Sequence, residues 1–515
     1  MTAIVRVSAL SAALACAALG ANPAGREMSR KELRDRIAGG WAGQMIGVSF
    51  GAPTEFRSNG KINENTLPPW SPDRVSNSLG QDDLYVDMTF AKVLDDKGLD
   101  ATSDDFGAMF RDAKYSLWHA NLAARRALKR GVPGSLSGMP KYNAHANDID
   151  FQIESDFIGL MAPGLHRSAT DIAIRAGRVM NYGDGLYGGI FVAGMYTAAF
   201  FESDPYKVVQ AGLASIPAKS PYGLLIADVL KWYKQNPDDW KKTWQLVEDT
   251  WDKNDPCPEG ALRPFNIDAK LNGAYIVLGL LYGKKDFGKT IEIATRAGQD
   301  SDCNPASAGG ILGVMLGYEA IPEEYKGGIP ALADKKFDYT DFSFNSIVDS
   351  TEKRTLALIG KTGGTVDAEK VTIQTQPPEA PKLKVWNYGR VAERVAASDP
   401  RWKFTGTWNA ETEERGTRSA GDKGAEAAVD FRGTGVIVVG PYYKEGGKAD
   451  VYLDGKLDRT VDVASDESSG RRNEAVWHAF GLKNGAHQVR VVVRGEPYGK
   501  YSATNVGITD LVVFR

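Results

Sequence analysis

The period of the hydrophobic pattern changes once along this chain, and that change limits what it can fold into. From Ser29 to about Tyr325 apolar residues recur at helical spacing, in stretches such as "RKELRDRIAGGWAGQMIGVSFGAP", "DDFGAMFRDAKYSLWHANLAARRALKRG" and "YGLLIADVLKWYKQNP". After Val385 the spacing falls to nearly two, in "GAEAAVDFRGTGVIVVGPYY", "KADVYLDGKLDRTVDVA", "HQVRVVVRG" and "ITDLVVFR", which sends alternate side chains to opposite faces of a strand. The two periods predict a multi-domain chain: an all-α domain over residues 26–348 and an all-β, jelly-roll-like sandwich over 385–515. Asp454-Gly455, between two alternating runs, predicts a tight hairpin turn. Residues 349–384 read as a linker, with "VTIQTQ" as one strand and "PPEAPK" as an extended run. A length of 515 residues is more than one ordinary core takes up.

Residues 1–20 pair one early Arg6 with an apolar run to about Leu19, the pattern of a secretory signal peptide and too short for a membrane span. Ala13-Leu14-Ala15-Cys16 is also a weak lipobox, which makes Cys16 a candidate lipid anchor. These features predict a periplasmic or secreted protein, and no other segment is apolar enough to cross a bilayer. Net charge is −3, from 62 basic and 65 acidic side chains, so no electrostatic footprint for nucleic acid is present. Beyond the leader only Cys257 and Cys303 remain, which excludes a disulfide framework. None of the 5 histidines has zinc-ligand spacing, and His119, His145 and His166 read as structural or exposed. There is no G-x-S-x-G elbow and no P-loop.

Carboxylates carry the chemistry. "AGQDSDCNPASAGGILGVMLG" sets Asp300 and Asp302 one residue apart before a helix of small residues. "LGQDDLYVDM" places Asp82 and Asp83 at another helix start. Capping explains either pair alone. Two acidic helix starts in one helical domain, with Gln81 and Ser301 adding oxygens, point to a hard cation. A third source is "NAHANDIDFQIESDFIGL", where Asp150 and Glu154 stand one helical turn apart, flanked by Asp148 and Asp156 and surrounded by apolar residues. "YGDGLYGGIF" opens a helix on Asp184 among glycines, a backbone able to approach a ligand closely.

From about Lys31 to Leu316 the chain resembles the ADP-ribosylglycohydrolase family, an all-α fold holding one or two Mg²⁺ ions. The segments that carry the resemblance are Gly47 to Glu55, Gln81-Asp82-Asp83-Leu84, and Gly298-Gln299-Asp300-Ser301-Asp302-Cys303 before the small-residue helix. The resemblance implies Asp82, Asp83, Asp300 and Asp302 as metal ligands, with Gln81 and Cys303 at the positions of ligating threonines, and Glu55 as the catalytic glutamate. Val48 replaces the family's first Asp, and a thiol is a poor Mg²⁺ partner, so one ion is expected rather than two, and Ca²⁺ is admissible. A second catalytic carboxyl is sought in Asp150, Glu154 or Asp184. Substrate contacts are expected from Asp148, Gln152, Asp156, Tyr182, Gly183, Gly185 and Gln299.

The C-terminal sandwich resembles the galactose-binding-like modules of secreted glycosidases, with Trp402, Trp408, Tyr442, Tyr443 and Trp477, and Tyr498 and Tyr501 in a loop, as stacking candidates. Taken together these features predict a secreted, metal-assisted glycoside hydrolase acting on a furanosyl or related bond of a carbohydrate. An ADP-ribosyl hydrolase is the alternative, and a non-catalytic carbohydrate-binding protein is the third reading.

Overall fold

The computed structural model describes residues 25–252, 254–411 and 416–515. The leader and Cys16 fall outside the described residues. A helical domain is followed by a β-rich region of antiparallel sheets, as the two periods require. At the centre of the helical domain lie Asp184–Ala199, Ala269–Gly283 and Cys303–Leu316, each buried along nearly its whole length. They are apolar all round, which suits a helix enclosed by others.

The helix that fixes the site is the first, Arg30–Gly51, capped by Ser29, whose hydroxyl accepts from the Glu32 N–H. Its glycines recur every fourth residue on one ridge. A Cβ added at Gly39, Gly43, Gly47 or Gly51 would fall 2.3, 2.1, 2.1 and 2.0 Å from the carbonyl oxygens of Gly313, Gly309, Pro305 and Ser301 in turn. Those partners descend as the glycines ascend, so the first helix runs antiparallel against Cys303–Leu316 with backbone on backbone. The small-residue helix is therefore a packing surface, and its start meets the end of the first helix.

Arg26–Ser29 pairs antiparallel with Lys370–Ile373, which also pairs Thr365–Val366. The strand expected in "VTIQTQ" thus closes the helical domain onto its own beginning. The stretch expected as linker is structured over much of its length. A helix runs from Phe344 to Lys361, started by reciprocal bonds between Ser343 and Ser346 and burying Ile347, Val348, Leu358 and Ile359.

The larger sheet orders Lys456–Asp462, Gly447–Leu453, Arg471–Pro497, Glu426–Tyr442, Asp510–Phe514 and Val391–Ala396, with Lys403–Thr405 paired to Glu426–Tyr442. A smaller one joins Val506–Ile508, Arg418–Ala420 and Asn409–Ala410. Asp454 and Gly455 make the expected turn with φ of +51° and +77°. Three of the seven aromatic stacking candidates serve packing instead. Trp402, Tyr442 and Trp477 are buried, and Tyr442 lies beneath the Arg126 guanidinium at 3.7 Å. Arg126 and Arg130, at the end of the helix His119–Lys129, form ion pairs with Asp462 and Asp466 of the sandwich at 2.7–3.3 Å. Among the described residues no helix is long and apolar enough to cross a membrane.

Candidate active site

The antiparallel contact of the first helix with Cys303–Leu316 delivers Glu55 to the acidic loop. Past Gly51 the chain makes one 3₁₀ turn, Ala52–Thr54. The Thr54 hydroxyl then meets that of Ser301 at 2.9 Å, and the Phe56 N–H donates to Gln299 O at 3.0 Å. Gln299 has a positive φ of +53° and follows Gly298 at +89°, and this bend turns Asp300 and Asp302 toward Glu55. The helix Asp82–Lys97 brings in the second pair, where the Cys303 thiol donates to Asp83 Oδ2 at 3.3 Å.

Burial raises the pKa of all five carboxyls, and acidic neighbours add to it at Glu55, Asp82, Asp83 and Asp300. Burial first, then the charges of Asp302 and Asp82, push Glu55 up to about 8, although it is the most exposed of the group. Asp82 rises to about 6, through burial and Asp302. Asp83 and Asp300 are pushed well above the usual carboxylate range by burial and by their acidic neighbours. Asp300 and Asp302 are within hydrogen-bonding reach of each other, a contact that two ionised carboxylates make only with a proton or a cation between them. Asp83 Oδ1 and Asp300 Oδ1 are buried without a hydrogen-bond partner. Among the described residues no Lys or Arg figures in these shifts. Unpaired acid oxygens gathered in a dry site fit a hard divalent cation. Asp300, Asp302 and Cys303 bring donor atoms within 4.8 Å of one another, with Asp83 bonded to the Cys303 thiol. Cys303 stands where a ligand was expected, yet its S–H is directed at Asp83.

A cavity of about 660 Å³ opens on the cluster, lined by Glu55, Gln81, Asp82, Asp300 and Cys303 together with Asp150. Asp150 caps the helix His119–Lys129, accepting from the Ala120 and Asn121 N–H groups at 3.2 and 2.9 Å. Burial, and then the Asp148 charge, push it up to about 7.

Other expected residues are placed elsewhere. Asp150 and Glu154 do not share one helix, because Asp150–Ile153 ends before Glu154 and a new helix, Asp156–Leu160, begins after it. Glu154 is fully buried and accepts from the Asn121 amide. Gln152 lies 2.7 Å from the Tyr222 hydroxyl, and Asp156 accepts from Tyr196 at 2.7 Å, both inside the core. Gln299 spends its amide on the backbone of Asn266 and Pro264, each at 2.9 Å. Asp184 lines a different cavity, with Lys270 and Trp386. Tyr182 and Gly183 line another, with Lys382 and Lys384. Gly185 packs where a Cβ would fall 2.4 Å from Ala146 O, so its role is close backbone approach. Asp148 joins His145, at 2.8 Å.

The cavity also contains residues that carry no sequence signal of function: Glu259, His119, and the tilted pair Phe56 and Phe265, 5.0 Å between ring centres. Glu259 and Phe265 sit in a turn and a loop and His119 begins a helix, all distant in sequence from the acidic motifs. Cys257 and Cys303 are free and buried.

The family model described as ADP-ribosylglycohydrolase matches residues 29–348, more than half of the chain. The chain belongs to the ADP-ribosylglycohydrolase family. Members of that family often hold divalent metals, in agreement with the acidic cluster, and the membership supports a hydrolase. A curated relative, "A type blood alpha-D-galactosamine galactosaminidase" of Flavonifractor plautii, is 31% identical over 106 residues. That match takes in 20% of this chain, and the chain spans only 10% of the relative. A solved structure named "ADP-ribosylglycohydrolase-related protein complex" aligns over 63% of this chain and 98% of its own, at 19% identity and a TM-score of 0.39. A carbohydrate-binding module, CBM36 in complex with calcium and xylotriose, aligns over 24% of this chain and 100% of its own, at 10% identity and a TM-score of 0.18.

Proposed function

We propose that this ADP-ribosylglycohydrolase-family protein is a metal-assisted glycoside hydrolase that cleaves a furanosyl or related bond of a neutral sugar. The observation that carries this reading is the lining of the acidic cavity. It combines Glu55, Asp150 and Glu259 with Phe56, Phe265 and aliphatic side chains, and includes no Lys or Arg among the described residues. Carboxyls and apolar faces suit a sugar ring, whereas a pyrophosphate would lack a cationic partner there. The galactosaminidase named above supports the same direction.

The bound cation, Mg²⁺ or Ca²⁺, supplies Lewis-acid polarisation and a template for hydroxyl groups. The protein's own part is proton handling. Glu55, the most exposed carboxyl of the cluster and open to the cavity, takes the proton of the attacking water. Asp150, whose pKa is near neutral, holds the proton that the leaving group receives. Asn121 and Ala120 keep the Asp150 carboxyl fixed through their backbone donors. Phe56 and Phe265 offer an apolar wall against which one face of the ring rests. Export, read from residues 1–20, belongs to the proposal as well.

The test is a panel of aryl furanosides and pyranosides beside ADP-ribosyl-arginine and ADP-ribosyl-serine peptides, with Mg²⁺, Ca²⁺ or a chelator. Sugar release that stops with chelator and falls by about 10²–10⁴-fold in Glu55→Gln is expected. Hydrolysis of the ADP-ribosyl peptides alone would replace the substrate assignment and leave the metal cluster in place.

A further inference from the structure

A second set of donor atoms lies beside the same cavity. The metal-binding atoms of His119, His145, Asp148 and Cys257 all fall within 4.8 Å of one another. Asp148 Oδ2 is 2.8 Å from His145 Nδ1 and 3.9 Å from His119 Nδ1, and Cys257 Sγ is 3.6 Å from His145 Nδ1. Around a tetrahedral zinc, with bonds of about 2.0–2.3 Å, neighbouring ligand atoms stand about 3.3–3.8 Å apart. The observed separations straddle that range.

The arrangement is not a nucleophilic relay. In a Cys–His–Asp relay the imidazole presents one nitrogen to the thiol and the other to the carboxylate. Here Asp148 and Cys257 both approach Nδ1 of His145, and its Nε2 faces Glu474 Oε2 at 3.8 Å. Donors crowding one point describe ligands around a centre. Two further observations agree. Asp148 Oδ1 is buried without a hydrogen-bond partner. His119 holds a left-handed φ of +42°, which costs energy for a residue with a Cβ and needs support from its surroundings.

We propose that His119, His145, Asp148 and Cys257 form a zinc-class metal site distinct from the acidic cluster. Two imidazoles and a thiolate favour Zn²⁺ over Mg²⁺ or Ca²⁺. The set fills four positions, as in sites that hold structure rather than react. Glu474, contributed by the sandwich, stands 3.8 Å from His145 Nε2, on the side where an outer carboxylate would orient the ring. The ion joins the start of helix His119–Lys129, the turn 145–148 and the loop that carries Glu259, and so rigidifies one wall of the cavity. The sandwich holds that loop from its other side, with Arg394 donating to Pro258 O and Ala261 O at 2.9 and 3.1 Å.

The test uses full-length protein, stripped with chelator and titrated with Zn²⁺ and with Co²⁺ as a coloured substitute. Wild-type protein should bind one zinc per chain and, with Co²⁺, show a thiolate-to-metal charge-transfer band. That band should vanish in Cys257→Ser and persist in Cys303→Ser and Asp300→Asn. His119→Ala should weaken zinc binding at least about tenfold, and Glu474→Gln by about the same factor. Absence of the band and of bound zinc in wild-type protein would overturn the proposal, and so would a band that follows Cys303. Should Cys257→Ser fail to fold, the wild-type spectrum and His119→Ala still decide. No outcome depends on glycoside hydrolysis, so this proposal and the functional one fail separately.

Discussion

The two donor clusters beside the cavity differ in what holds them. Asp82, Asp83, Asp300 and Asp302 stand at the starts of long helices, and the glycine ridge of Arg30–Gly51 presses backbone against backbone beneath them. Their placement follows from core packing. His119, His145, Asp148 and Cys257 sit mainly in turns and loops, and the sandwich grips the Cys257 loop through Arg394. Their placement depends on how the two domains dock. A helix-borne, oxygen-only cluster is suited to a hard ion near the chemistry, and a loop-borne mixed cluster to an ion that ties chain segments together.

The largest effect expected is on activity. Asp300→Asn should lower kcat on a hydrolysed glycoside by about a thousandfold, the size of losing several kcal/mol of charge stabilisation, while zinc content measured on the same preparation is unchanged. Simultaneous loss of zinc would merge the two clusters into one. Next comes the ridge. In Gly47→Ala the new Cβ meets Pro305 O at 2.1 Å, and chemical denaturation should show a loss of about 2–3 kcal/mol. An unaltered midpoint would mean that the helices have room between them, and that the acidic cluster is not positioned by their contact.

A smaller effect isolates an acid that holds a proton rather than a metal. Glu248 is buried, accepts from the Tyr275 hydroxyl, and is pushed up to about 8 by burial and by Asp252. The folded state keeps this proton where the unfolded chain, near 4.5, releases it. Stability from this group is therefore full below about pH 4.5 and lost as pH rises toward 8, with a slope of at most about 1.4 kcal/mol per pH unit. Glu248→Gln should reduce the pH slope of urea-derived stability across that window by up to about 1.4 kcal/mol per pH unit, leaving the part due to the other raised carboxyls, with no response to Mg²⁺ or Zn²⁺. A slope identical to that of the wild type would assign the proton elsewhere.

The acidic cluster was legible because its members are adjacent in pairs, so local order exposes them. Glu55 was reached through the motif that follows the glycine ridge. Asp150 was visible as an acid among apolar residues, but its supposed partner Glu154 was not, since the helix breaks between them and the register argument fails. "YGDGLYGGIF" misled because glycine serves two purposes, and at Gly185 it admits a neighbouring carbonyl rather than a ligand. The helix Phe344–Lys361 escaped notice because its buried stripe is thin and interleaved with polar residues. The second cluster left little trace in the order of residues, because only His145 and Asp148 are close in sequence, and His119 and Cys257 come from separate stretches.

By itself the sequence determined the two-domain division, the all-helical and all-strand natures of the parts, and the acidic pairs at helix starts. These depend on periodicity and on neighbours a few residues apart, which the chain carries in its local order. Only the tertiary structure decided which carboxyls share the cavity, that Glu259, His119 and Phe265 join them, and that donors from three separate stretches meet at one point. Those outcomes depend on long-range packing between helices, loops and the sandwich, where proximity in space is independent of distance along the chain.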